Sequence, residues 1–94
     1  MLLVICMDRT LSTCSIFDLG LFTQSILLAA TGLGLGSIPA LNFVAYPEII
    51  RKELAIPDNL SVAFGVAIGY ENTDSIINTF RSARRPLEEV VIFK

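Results

Sequence analysis

Between Asp18 and Glu48 the chain carries no charged residue at all. So long a neutral run must be covered by something other than water. Its first part, about Ile16 to Leu33, places Leu19, Phe22, Ile26, Ala29/Ala30 and Leu33 on one face at helical spacing, while Leu21, Leu28 and Gly32 line another. A helix apolar nearly all round is expected to be buried on every side. Ser15 and Asp18 fit an N-cap and the third helical position of a capping box. Gly32, Gly34 and Gly36 are placed to end the helix, since glycine accepts the left-handed cap conformation without penalty.

Composition sharpens the problem of cover. The 94 residues are 53% hydrophobic and 17% charged, against about 25% charged in an ordinary soluble domain. One domain spanning 1–94 is expected, and disorder is excluded. Three outlets for the surplus present themselves: a membrane, a homodimer core, or a partner segment. A bilayer span needs about 20 apolar residues, and Leu19–Leu33 is too short before the glycines break it. No basic cluster flanks the run. A dimer core is the better reading.

Several function classes fall away. The chain has no histidine, which removes Ser-His and Cys-His nucleophile pairs and imidazole-based zinc sites. Cys6 and Cys14 lack metal-binding spacing and are expected to be buried, reduced thiols. Met1–Met7 has no basic leader and no cleavage site, so a cytoplasmic protein is expected. With seven basic residues and an acidic pI, nucleic-acid binding is disfavoured.

Elsewhere the pattern is mixed α and β. Met1–Met7 reads as a short buried strand, followed by a polar connection Asp8–Cys14. Tyr46-Pro47-Glu48 opens a second helix with Pro at its first position, Ile49, Ile50 and Leu54 forming its apolar stripe and Arg51, Lys52 and Glu53 facing water. Pro57-Asp58-Asn59 is a turn. Leu60–Tyr70 alternates large with small residues at period two, a strand. Its small face (Ser61, Ala63, Gly65, Ala67, Gly69) demands a very close neighbour, by default a helix backbone, alternatively a flat ligand. Glu71–Thr79 is a polar loop, and Leu87–Lys94 is expected to be a terminal strand.

Little in the residues themselves points to catalysis. The glycines of Gly32–Gly36 follow a helix rather than a strand, against a nucleotide loop. Arg81, Arg84 and Arg85, pinned between Phe80 and Pro86, are the only basic concentration, either a solvated turn or a fork for phosphate or carboxylate. No catalytic constellation and no metal cluster stands out.

Taken in order, however, the motifs resemble one family. Asp18-Leu-Gly-Leu-Phe-Thr-Gln24, Leu27–Ala30 and Gly32–Ser37 are similar to the central helix and following loop of the nitroreductases. Tyr46-Pro47-Glu48, Glu53–Pro57, Val66–Tyr70 and Phe80–Val91 continue that family's order. The resemblance covers nearly the whole chain and implies an α+β, nitroreductase-like α/β sandwich fragment of order strand-helix-helix-strand-strand. It also implies an intertwined homodimer with FMN at the subunit interface. Hydride would pass from NADH or NADPH to flavin N5 and on to nitroaromatics, quinones or related acceptors. Pro39, Ala40, Leu41 and Asn42 match the stretch against the flavin ring, with a backbone amide near N5. Arg84 matches a phosphate-contacting arginine, and Arg81 is a second candidate. The Arg/Ser-rich flavin motif of the family's N-terminal half is not among these residues, so the chain is expected to be a C-terminal half, truncated, that binds FMN weakly or not at all by itself. The alternative is a non-catalytic homodimerisation module on the same fold.

Overall fold

The computed structural model covers Met1–Lys94. Its order is β1 (Leu2–Asp8), α1 (Thr13–Gly32), β2 (Gly36–Ala40), a 3-10 turn Leu41–Val44, α2 (Pro47–Glu53) and β3 (Leu60–Gly69), then 3-10 turns at Ile76–Thr79 and Leu87–Glu89. The α+β class read from the sequence holds. The three strands form one antiparallel sheet in the order β1-β3-β2, with β3 central. One strand has changed place. Leu87–Lys94 forms no strand, and Gly36–Ala40 supplies the third instead, because its backbone pairs with the end of β3 from Gly65 to Gly69.

The register divides the sheet's two faces. Leu3 lies opposite Val66 and Ile5 opposite Phe64, so these residues share the large-residue face of β3. α1 lies on that face: Ile5, Ala30, Val66 and Ile68 form the buried cluster, with Leu3, Leu19, Ile26, Leu27, Leu35 and Phe64 packed around it. The expectation that a helix would meet the small-residue face is therefore corrected. A 3-10 turn meets it instead, since only a short turn following β2 can fold back over Gly65.

α1 begins at Thr13, three residues before the expected start, with Ser12 at the N-cap and no side-chain cap bond. The expected Ser15–Asp18 capping box is absent because Ser15 already lies inside the first turn. The earlier start follows from Asp8, whose carboxylate accepts the Thr10 N–H (2.8 Å) and hydroxyl (2.6 Å) and turns the chain at the end of β1. At the other end the expected glycine cap is present. Gly34 has φ +72°, its N–H donates to the Thr31 carbonyl, and the Leu35 N–H donates to that of Ala30, the paired bonds of a Schellman motif.

Burial of α1 is where the sequence reading fails for this chain taken singly. Only Thr23 and Ala30 are buried, and Thr23 satisfies its hydroxyl on the Leu19 carbonyl at 2.7 Å. Ile16, Phe17, Leu21, Phe22, Leu28 and Leu33 all stand exposed. The helix is long and apolar enough to cross a bilayer by length and composition, yet one face of it is committed to the sheet. Cys14 is likewise exposed and Cys6 half-buried, both free.

From Tyr70 onward the chain leaves the body, and every residue from Thr79 to Lys94 is exposed. The radius of gyration is 16.4 Å, against about 12 Å for a compact domain of this length. The accessible surface is 7661 Å², about 2,300 Å² above the roughly 5,300 Å² of a folded monomer of this mass. An excess of that size means that large apolar faces of the 94 residues are left uncovered.

A polar seam closes the end of the sheet where β1 and β3 are joined to their helices. Arg9 donates through Nε to the Asp58 carbonyl (2.8 Å), and Asn59 donates to the Asp8 carboxylate (3.1 Å). Arg51, expected to face water, turns inward. Its guanidinium donates to the carbonyls of Leu60 and Pro57 and pairs with Asp58 at 3.2 Å. These unsatisfied carbonyls of the α2–β3 connection draw it in. α2 ends on Ala55 at φ +49°, a conformation in which a Cβ is strained.

The Asp8 carboxyl is held below its ordinary value of 3.8, chiefly by the Thr10 hydroxyl, then by the Thr10 N–H and the Asn59 amide. A lowered pKa in the folded state means that Asp8 stabilises the fold above its unfolded pKa of about 3.9. That contribution disappears as pH falls through the lower folded value. Asp8→Asn should therefore be less stable than the unsubstituted protein near neutral pH in denaturant melts, with the gap closing as pH falls through the lowered folded-state value.

Candidate functional site

The flavin-facing segment expected from sequence falls where β2 ends and the 3-10 turn Leu41–Val44 begins. Ala40 is extended (φ −151°, ψ 136°) and the turn follows at once. Phe43 fixes it in place. A Cβ built on Gly65 would sit 2.6 Å from the Phe43 Cβ and 3.3 Å from a Leu2 methyl, so the absence of a side chain at Gly65 is what admits the turn. Val44, the next residue, is buried. Gly65 and Phe43 were not singled out as site residues, although the run of small residues in β3 signalled a close neighbour.

Held this way, Pro39, Ala40 and Leu41 form, with Phe64, a shallow depression of about 240 Å³. Its walls are apolar and carry no charge. A 3-10 turn makes its first internal bond from its third residue, so the N–H groups of Leu41 and Asn42 remain free of the turn's own ladder. Leu41 is 72% exposed. An uncharged apolar wall of this kind suits the face of a flat ring. Three of the four residues that the resemblance sets against a flavin ring, Pro39, Ala40 and Leu41, line this depression.

The phosphate-contacting part is not gathered with it. Arg81 donates to the Asn78 carbonyl at 2.7 Å and to that of Phe80 at 3.1 Å. Arg84 bonds to the Ser82 carbonyl and hydroxyl. Arg85 pairs with Glu89 at 3.0 Å. All three lie on the exposed segment beyond the sheet, and none lines the depression. Within one copy, Pro39, Ala40 and Leu41 line the depression, Asn42 follows them on the turn, and Arg81 and Arg84 lie apart from both. A larger open cleft of about 580 Å³, lined by Gly36–Ile38, Ala67–Asn72 and Asn78 among others, lies at the opposite end of the β2–β3 pairing.

One long apolar helix thus lies across a three-stranded antiparallel sheet, with an uncharged turn at the sheet's edge. The family model described as "Nitroreductase family" matches residues 7–70. The chain belongs to the nitroreductase family. It is 34% identical over 91 residues to the chloronitrobenzene nitroreductase of Comamonas testosteroni, covering 97% of this chain and 40% of that protein. It is 32% identical over 91 residues to the nitrobenzene nitroreductase of Ectopseudomonas oleovorans, with the same coverage. The crystal structure of the FMN-dependent nitroreductase NfnB from Mycobacterium smegmatis, in complex with NADPH, superposes with TM-score 0.93 at 25% identity, covering 99% of this chain and 41% of that one. The chain spans about two fifths of the length of the curated relatives it matches.

If Gly65 is what admits the turn, Gly65→Ala forces Phe43 off the sheet, at a cost of about 1–3 kcal/mol. Removing the Cβ that it meets, in the double substitution Gly65→Ala/Phe43→Gly, should cost less than the two single losses added together in urea melts.

Proposed function

We propose that these 94 residues are the C-terminal half of an FMN-dependent NAD(P)H nitroreductase. They would pass hydride to nitroaromatic, quinone or related acceptors, and work in the cytoplasm as an intertwined homodimer. The observation that carries this reading is the uncharged wall of Pro39, Ala40, Leu41 and Phe64 at the start of the turn pinned on Gly65. The fold match to an FMN-dependent enzyme solved with NADPH supports the same reading.

When bound, FMN supplies the two-electron chemistry, accepting hydride and passing it on. This chain's residues bind and orient. Pro39, Ala40 and Leu41 give one face of the ring an apolar bed that excludes water. The Leu41 and Asn42 N–H groups hold its polar edge. Phe43, seated on Gly65, fixes the turn that carries them. Arg84, with Arg81 beside it, holds the phosphate as a charged hydrogen-bond donor. Since the arginines lie on a segment that leaves the body, the reading assigns them to the site of a second copy. The same second copy would cover the exposed faces of α1.

Flavin titration, followed by quenching of flavin fluorescence, tests this. The chain by itself is expected to bind FMN weakly but saturably. Arg84→Ala should weaken FMN about tenfold or more, the worth of a charged hydrogen bond, while leaving riboflavin, which lacks the phosphate, unchanged. Equal loss for both flavins would contradict the phosphate role. Stoichiometric FMN retained through purification would contradict the half-site reading.

A further inference from the structure

A free chain from Tyr70 to Arg84 would spread its far end over roughly 20 Å. A charged hydrogen bond to a phosphate closes at about 2.8 Å, so arginines on such a segment are useful only if its root is fixed. The side-chain hydrogen bonds beyond Gly69 join residues of this stretch to one another. Asn78 has a particular place among them. It is half-buried, and it is the last residue of the chain with any cover. Its carboxamide donates to the Asn72 carbonyl at 2.7 Å, a bond that closes the loop across six positions of sequence. Its own carbonyl accepts from the Arg81 guanidinium at 2.7 Å. One residue thus ties back to the loop and forward to the arginine segment. Asn72 and Asn78 both line the open cleft beside Gly69, so the loop they close stands against the end of the sheet.

We propose that Asn78 is a positioning residue for the arginine segment: by holding the Asn72 carbonyl, its carboxamide sets the course on which Arg81 and Arg84 leave the body. This inference rests on the flavin reading above, in which those arginines hold the FMN phosphate. Asn78 itself touches neither flavin nor phosphate. It narrows the range of places the two cations can reach. Losing its hydrogen bond frees the segment without entering the core of Ile5, Ala30, Val66 and Ile68, which lies elsewhere. The cost then falls on binding, because a loose segment has to be ordered when the phosphate is held. Riboflavin lacks the phosphate and is indifferent to that ordering.

The test titrates FMN and riboflavin into the unsubstituted protein and into Asn78→Ala, Asn78→Leu and Asn78→Gln, with far-UV circular dichroism to show that the fold is retained. Asn78→Ala should weaken FMN about three- to tenfold and leave riboflavin unchanged. Asn78→Leu, which fills the same space without a donor, should give the same loss. Asn78→Gln, which keeps the amide, should recover part of it. In a chain already carrying Arg81→Ala and Arg84→Ala, Asn78→Ala should cost a further factor of about two or less, since nothing is left to position. A loss shared equally by FMN and riboflavin would overturn the proposal, as would full additivity with the arginine substitutions. Unchanged FMN binding in both Asn78→Ala and Asn78→Leu, beside an intact Arg84 effect, would overturn this inference alone. Absence of saturable FMN binding by the unsubstituted protein would overturn both readings.

Discussion

The seating of α1 across β3 is the interaction on which the rest of the chain depends. Ala30 is small enough to let the helix approach Val66 and Ile68, and with Ile5 they form the buried cluster between helix and sheet. With Val44 under the turn, five buried apolar residues are a modest core for 94 residues, and the apolar side chains left outside are many and large. What is built around that contact is therefore half of a packing arrangement. One face of α1 meets its own sheet, and the remaining faces present Phe17, Leu21, Phe22 and Leu28 outward.

The same economy shapes the site. The large residues of β3 are spent on α1, so the small-residue face is left to a turn, and Gly65 admits Phe43 closely enough to fix Leu41 and Asn42. A turn pinned on one side by a buried strand can present backbone N–H groups without a longer helix or a charged side chain. The uncharged stretch from Leu19 to Pro47 thus covers the sheet at its start and forms the pinned, apolar turn at its end.

Much of this was legible in the sequence, for identifiable reasons. Period-two alternation marked Leu60–Gly69 because a central strand has two faces of different demand. Pro47 and Gly34 marked helix ends because their backbone restrictions are intrinsic to the residue. Three features were hidden. The start of α1 was set by the Asp8–Thr10 turn rather than by the nearest capping pattern. β2 was hidden because Gly-Ser-Ile-Pro-Ala has no strand pattern of its own and is a strand only through its pairing with β3. Leu87–Lys94 has strand composition but finds no strand beside it within one copy, and composition cannot supply one. The site was legible only through family order. A bare apolar wall carries no motif, and the arginines that resemblance assigns to it lie elsewhere in a single copy.

The unpaired Leu87–Lys94, the exposed α1 and the detached arginines all fit the same account, in which a second copy completes each of them. Sedimentation equilibrium across a range of protein concentrations tests this most directly. The account expects a mass of about twice the 10.2 kDa chain, held to low concentration, as suits an interface hiding about 2,300 Å² on each subunit. A monodisperse 10.2 kDa species that stays folded and soluble without detergent would contradict it.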